Sequence, residues 1–130
     1  MTNLLVIILL CASTAVAQHI PDTTYKTIVE HPAYSKTSPR VMFDEAHYNF
    51  HTSTGRYKPF ADLLMNDGYR IVVNRQSFTK KSLESFKLLV IANALAEDID
   101  EAGADKPAFS DEECEAVRDW VKSGGSLLLI

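Results

Sequence analysis

Arg40-Val-Met-Phe-Asp-Glu-Ala-His-Tyr-Asn-Phe-His51 is the stretch on which the reading of this chain turns. A short apolar run breaks abruptly into two carboxylates, two imidazoles and an amide. Val41-Met42-Phe43 has no polar alternation, which predicts a β-strand covered on both faces, as in a parallel sheet. The polar residues that follow then sit beyond its carboxyl end. In open α/β sheets that is where loops and helix N-termini converge on ligands.

Asp44, Glu45, His47, Asn49 and His51 are therefore the first candidates for a functional site. Successive strand side chains alternate, so Asp44 and Glu45 point to opposite faces and at most one enters a given pocket directly from the strand. Asp44 is placed to orient His47, leaving the other imidazole nitrogen free as a base or ligand. The plainer alternative is that Asp44 caps the loop and the histidines lie at the surface. The spacing is not diagnostic of a metal site, and none is expected.

Downstream, Pro59 suits the first turn of a helix, where its missing N–H costs nothing. Phe60, Leu63 and Leu64 give that helix one apolar face, and Asn66-Asp67-Gly68 ends it with a glycine suited to the left-handed C′ position. Arg56 and Tyr57 precede it and form a candidate anion site at its positive dipole end, although solvated side chains are the commoner outcome. Residues 69–73 predict a second strand, residues 78–86 a short helix capped by Thr79, and residues 88–92 a third strand. Asn93, leaving that strand, is both a candidate for the same crevice and a turn former.

Ser110-Asp-Glu-Glu113 is a capping box that starts a helix running to about Lys122. That helix is expected to bury Cys114, Val117 and Val121, with Trp120 at its margin; a thiol so buried is inert. Residues 126–130 begin a fourth strand. Four strand and helix alternations with short loops predict an open parallel sheet with helices on both faces, in the order 2-1-3-4. Leu127-Leu128-Leu129-Ile130 then forms an uncovered apolar edge, which implies a covering partner or further polypeptide.

Residues 1–17 read as a secretory signal peptide. The apolar run 4–10 is shorter than the about 20 residues a membrane span needs, and Ala15-Val16-Ala17 fits the cleavage pattern. Secretion or residence in the periplasm is expected, with no membrane association after cleavage. Residues 18–39, with Pro21, Pro32 and Pro39, form an extended lead-in to a domain spanning 40–130. Those first seventeen residues carry no charged side chain, so the formal net charge of -4 belongs to the remainder. Such a mildly acidic domain is a poor nucleic-acid binder. Cleavage leaves Cys114 as the one thiol, so no intrachain disulfide forms.

Several chemistries are excluded. No glycine-rich phosphate cradle follows the first strand, so no nucleotide cofactor is expected, and no nucleophile elbow is present. The acidic loop around Asp98 and Asp100 fails as a calcium loop, because Ala102 and Phe109 stand at its fifth and twelfth positions. It reads as a solvated insertion.

Phe43-Asp-Glu-Ala-His-Tyr-Asn49, Tyr57-Lys-Pro-Phe-Ala-Asp-Leu-Leu64, residues 88–95 and Ala116-Val-Arg-Asp-Trp-Val-Lys-Ser-Gly-Gly-Ser-Leu-Leu-Leu-Ile130 together resemble the N-terminal half of a bacterial domain of unknown function. That domain lies in the class I glutamine amidotransferase-like superfamily. The resemblance implies a flavodoxin-like α/β sandwich. In true amidotransferases the cysteine, histidine and acid lie beyond the matching region, so no catalytic residue is carried over. The leading expectation is an exported ligand-binding or interaction domain with a crevice formed by Asp44, Glu45, His47, Asn49 and Asn93, bound to a small molecule or a protein. The rival is an extracytoplasmic hydrolase using Asp44 and His47 as acid–base residues, with its remaining catalytic parts downstream of Ile130. A third reading is an interaction module docking a partner along the strand edge.

Overall fold

The computed structural model of the chain describes residues 20–22 and 24–130. The signal peptide expected at residues 1–17 lies outside them. Four strands form one all-parallel sheet: β1 (Arg40–Asp44), β2 (Arg70–Asn74), β3 (Leu88–Ile91) and β4 (Ser126–Leu129). The order is β2-β1-β3-β4, as the alternation of elements predicts. β1 is flanked in register by Val41 opposite Ile71 and Leu88, so its residues 41–44 are buried on both faces. That burial is the physical reason the run is uninterruptedly apolar.

Helices cover both faces. On one face α1 (Lys58–Asn66) lays Phe60 and Leu64 over Val41, Phe43 and Val90. On the other, α2 (Lys80–Leu83) and α3 (Asp111–Lys122) enclose a core of Met42, Phe78, Leu83, Phe86, Leu89, Ile91 and Trp120. Caps fix both helix starts on this face. Thr79 and Ser82 exchange hydrogen bonds around the N-terminus of α2, and Ser110 and Glu113 do the same for α3. α2 is shorter than the predicted 78–86, because Phe78 precedes the cap and sends its N–H to Glu113 instead.

The phase of α3 differs from the expected one. Trp120 is buried, whereas Cys114 and Val121 are exposed. The indole seeks the core opened by the glycines after the helix: a Cβ on Gly125 would meet the Trp120 ring at 2.3 Å. Turning Trp120 and Glu113 inward rotates Cys114 and Val121 toward β4, where nothing among the described residues covers them. Cys114 is thus not the buried, inert thiol that the apolar spacing suggests.

The lead-in lies on the domain. Asp67, just past α1, accepts from the N–H of Ala33 through its side chain (2.7 Å) and of Tyr34 through its carbonyl (3.2 Å), and Tyr34 meets the Tyr69 ring edge-on. Gly68 makes this approach possible. Its φ is +95°, and a Cβ there would stand 1.9 Å from the Tyr34 carbonyl oxygen. Gly68→Ala is expected to cost at least about 2 kcal/mol, combining a left-handed penalty with this clash. Urea unfolding measures it, and an unchanged midpoint would mean that the lead-in is not seated there.

Candidate functional site

The polar residues at the end of β1 divide into two groups, and the strand's alternation makes the division. Asp44, fully buried, turns toward the α3 face. Its Oδ2 accepts from His47 Nδ1 at 2.8 Å and from the Asn49 amide at 3.1 Å, while Oδ1 accepts from the Asn74 amide at 3.1 Å. Glu45 faces away. Its Oε1 accepts from the N–H and hydroxyl of Ser53 at 2.9 and 2.7 Å, and Arg75 approaches Oε2 at 3.6 Å.

His47 is not left with a free nitrogen. Its Nε2 lies 3.0 Å from Oε1 of Glu113, a residue 66 positions away at the start of α3. The same carboxylate accepts from the N–H groups of Phe78 (2.9 Å) and Ser110 (3.1 Å). The imidazole is further enclosed by the rings of Phe109 and Phe78, with centroids at 4.6 and 5.0 Å. The expectation of an open nitrogen on His47 is therefore corrected: a second buried carboxylate has taken it.

The electrostatics follow from this enclosure. Burial pulls the His47 imidazolium down, but the hydrogen bond and charge of Asp44, and then those of Glu113, more than offset it. Its pKa is held above the ordinary 6.5. For Glu113, burial pushes the carboxyl up, but the backbone N–H groups of Ser110 and Phe78, and then His47, hold it below its ordinary 4.5. In its protonated form the ring donates from both nitrogens, one to each carboxylate.

A second wall of the same loop is open. Glu45, Tyr48, Asn49, Phe50, Leu95, Asp98 and Ile99 line a cleft of about 320 Å³. Tyr48 is held at φ 43°, a left-handed conformation uncommon for a large side chain. The bonds around it supply the restraint. Asn49 Oδ1 accepts from the His47 N–H, its amide reaches the Ala92 carbonyl at 3.2 Å, and the Leu95 N–H bonds the His47 carbonyl at 2.8 Å. The Tyr48 ring is left 54% exposed.

The sequence candidates are thus separated. Asp44 and His47 belong to the closed triad, Glu45 lines the cleft, and Asn49 touches both. Asn93, exposed and also left-handed at φ 47°, joins the loop by its backbone, accepting from the Phe50 N–H at 3.4 Å and donating to the Ile130 carbonyl at 2.9 Å. Arg56 stacks over Phe50 at 4.1 Å, and Tyr57 packs against His51 and Phe60. Among the described residues no group of three His, Cys, Asp or Glu side chains is arranged to hold a metal ion.

Glu113 and Asn74 were not apparent as site residues. The capping box predicted the local role of Glu113, but nothing in its neighbourhood signals a partner on β1. Tyr48, Leu95, Asp98 and Ile99 gave no signal as cleft residues, because the left-handed turn and the loop's return are not visible in spacing.

No family model, curated protein or solved structure matches the chain. Fold and site define an open parallel α/β domain whose first strand ends in a closed carboxylate–imidazole–carboxylate triad beside an open polar and aromatic cleft.

The triad gives stability a defined pH window. A raised His47 pKa contributes stability that is full below 6.5 and lost as pH rises through the folded value; a lowered Glu113 pKa contributes above 4.5 and is lost as pH falls through the folded value. The triad's contribution is therefore greatest between those two values. His47→Ala, which leaves two buried carboxylates facing each other, is expected to cost about 3 kcal/mol. It should also flatten the alkaline limb of stability against pH, measured by urea unfolding at successive pH values. An alkaline limb unchanged from the wild-type chain would contradict the triad.

Proposed function

We propose that this chain is a non-catalytic ligand-binding domain of the class I glutamine amidotransferase-like superfamily, exported through the signal peptide read at residues 1–17. The observation that carries this reading is the engagement of both His47 nitrogens. A general base must present a free nitrogen to its substrate, and here Asp44 and Glu113 occupy both. The rival hydrolase reading, with Asp44 and His47 as the acid–base pair, is disfavoured by the same contacts. Sheet order 2-1-3-4 supports the superfamily assignment, which otherwise rests on the motifs around residues 43–49 and 116–130. No described helix is long and apolar enough to cross a membrane.

The ligand is a small molecule rich in hydrogen-bond donors. The Asp98 carboxylate and the Glu45 oxygen not held by Ser53 supply acceptors, while Tyr48 and Phe50 offer ring surface. A hydroxylated or amino-bearing ligand fits that lining, and an anion does not. The position, at the carboxyl ends of β1 and β3, is where open α/β sheets meet their ligands.

The test is thermal melting against a panel of polyols, sugars and small amines, followed by cleft variants. Tyr48→Gly is expected to leave stability unchanged or raise it by up to about 1 kcal/mol, because glycine accepts the left-handed backbone. It should nevertheless abolish the ligand-induced rise in melting temperature, as should Glu45→Gln. If a ligand found in this way stabilises Tyr48→Gly as strongly as the wild-type chain, it does not bind in this cleft. Hydrolytic activity lost on His47→Gln in a folded protein would restore the rival.

A further inference from the structure

A second cavity, of about 560 Å³, lies between α2 and α3 at the amino ends of β3 and β4, the end of the sheet away from the cleft. That volume is within the range of small-molecule sites. Its floor is aromatic: Phe86 and Trp120 line it while only 6% and 8% exposed. Around them stand Lys80, Lys81 and Lys87, with Glu84 and Asp119.

The floor is fixed by the chain that follows α3. Gly124 turns it at a φ of +102°, and Gly125 leaves no room for a side chain, since a Cβ there would stand 2.3 Å from the Trp120 ring. The indole is thereby pressed into the core that also holds Phe86 and Leu83. Its N–H has no acceptor among the described residues, although a buried indole ordinarily finds one.

The rim sets the sign of what enters. None of the three ammonium groups forms an ion pair with a described residue, whereas the Asp119 carboxylate accepts from Arg118 Nε at 3.2 Å. Three unpaired cations therefore share the rim with one unpaired carboxylate, Glu84. In a chain whose formal net charge is -4, this is a locally positive cavity, and such a cavity attracts anions.

We propose that the cavity between α2 and α3 binds a small aromatic carboxylate. The ring of the ligand covers Phe86 and Trp120, and its carboxylate supplies acceptors to the lysines and to the indole N–H. A single negative charge suits the site better than the several of a polyphosphate, because Glu84 and Asp119 share the rim. The ligand is opposite in charge preference to that of the cleft at the carboxyl ends of the strands, so the two sites are separable.

Trp120 is the one tryptophan of the chain, so its emission and its indole N–H resonance report on this cavity. Phenylacetate is expected to shift both saturably, with a Kd of about 1 mM. Phenylacetamide, of the same shape without the charge, should bind at least about tenfold more weakly. Replacing the three exposed lysines together, Lys80→Gln, Lys81→Gln and Lys87→Gln, should weaken phenylacetate by a similar factor and leave phenylacetamide and the melting temperature unchanged. The comparison of acid with amide on the wild-type chain tests the proposal without any variant. The absence of a saturable response to phenylacetate would overturn it. So would an amide bound as tightly as the acid, or a triple variant that keeps the wild-type affinity for phenylacetate.

Discussion

The fold rests on one imidazole between two buried carboxylates. His47 reaches Asp44 at the end of β1 with one nitrogen and Glu113 at the start of α3 with the other. Taking such charges out of water is expensive, and the expense is recovered only if the remaining lone pairs are satisfied. Here they are. Asn49 and Asn74 complete Asp44, and the N–H groups of Phe78 and Ser110 complete Glu113. One ring thereby ties together the central strand, the turn before α2 and the first turn of α3. The low local dielectric that makes this network strong when complete also makes it costly to break.

The network also determines what the neighbouring surface can do. It holds the loop after β1 from one side, so that Tyr48 stays in a backbone conformation it would not adopt alone. Strain of this kind persists only where the surroundings over-determine it, and it concentrates at ligand sites. The alternation of Asp44 and Glu45 thus assigns two tasks to two adjacent carboxylates. The first closes the structure, and the second borders the open cleft.

Much of the architecture was legible in the sequence because it follows from local rules. Uninterrupted apolar runs at 41–43 and 88–92 marked central strands, Pro59 and Gly68 bracketed α1, and the Ser110 capping box opened α3 where the structure has it. That Asp44 and Glu45 point to opposite faces also followed from strand geometry alone, although both were expected in one crevice. The errors came from contacts distant in sequence. Cys114, Val117 and Val121 have helical spacing and suggested the buried face. The spacing could not show that Trp120 needs the core more, or that Glu113 would be drawn inward by a histidine 66 residues away. The apolar stripe was correctly seen but wrongly placed: it lies exposed beside β4. The site was half legible for the same reason: the residues after β1 were visible, but the partner that occupies His47 was not.

The most direct test of this account is the nitrogen NMR titration of the His47 ring across pH 4 to 9. The account predicts that both ring nitrogens remain protonated past 6.5, the ordinary histidine value, with slowed exchange of both ring protons. Resonances of a neutral ring with one unprotonated, solvent-exchanging nitrogen at pH 6.5 would contradict it. They would return His47 to the role of an available base.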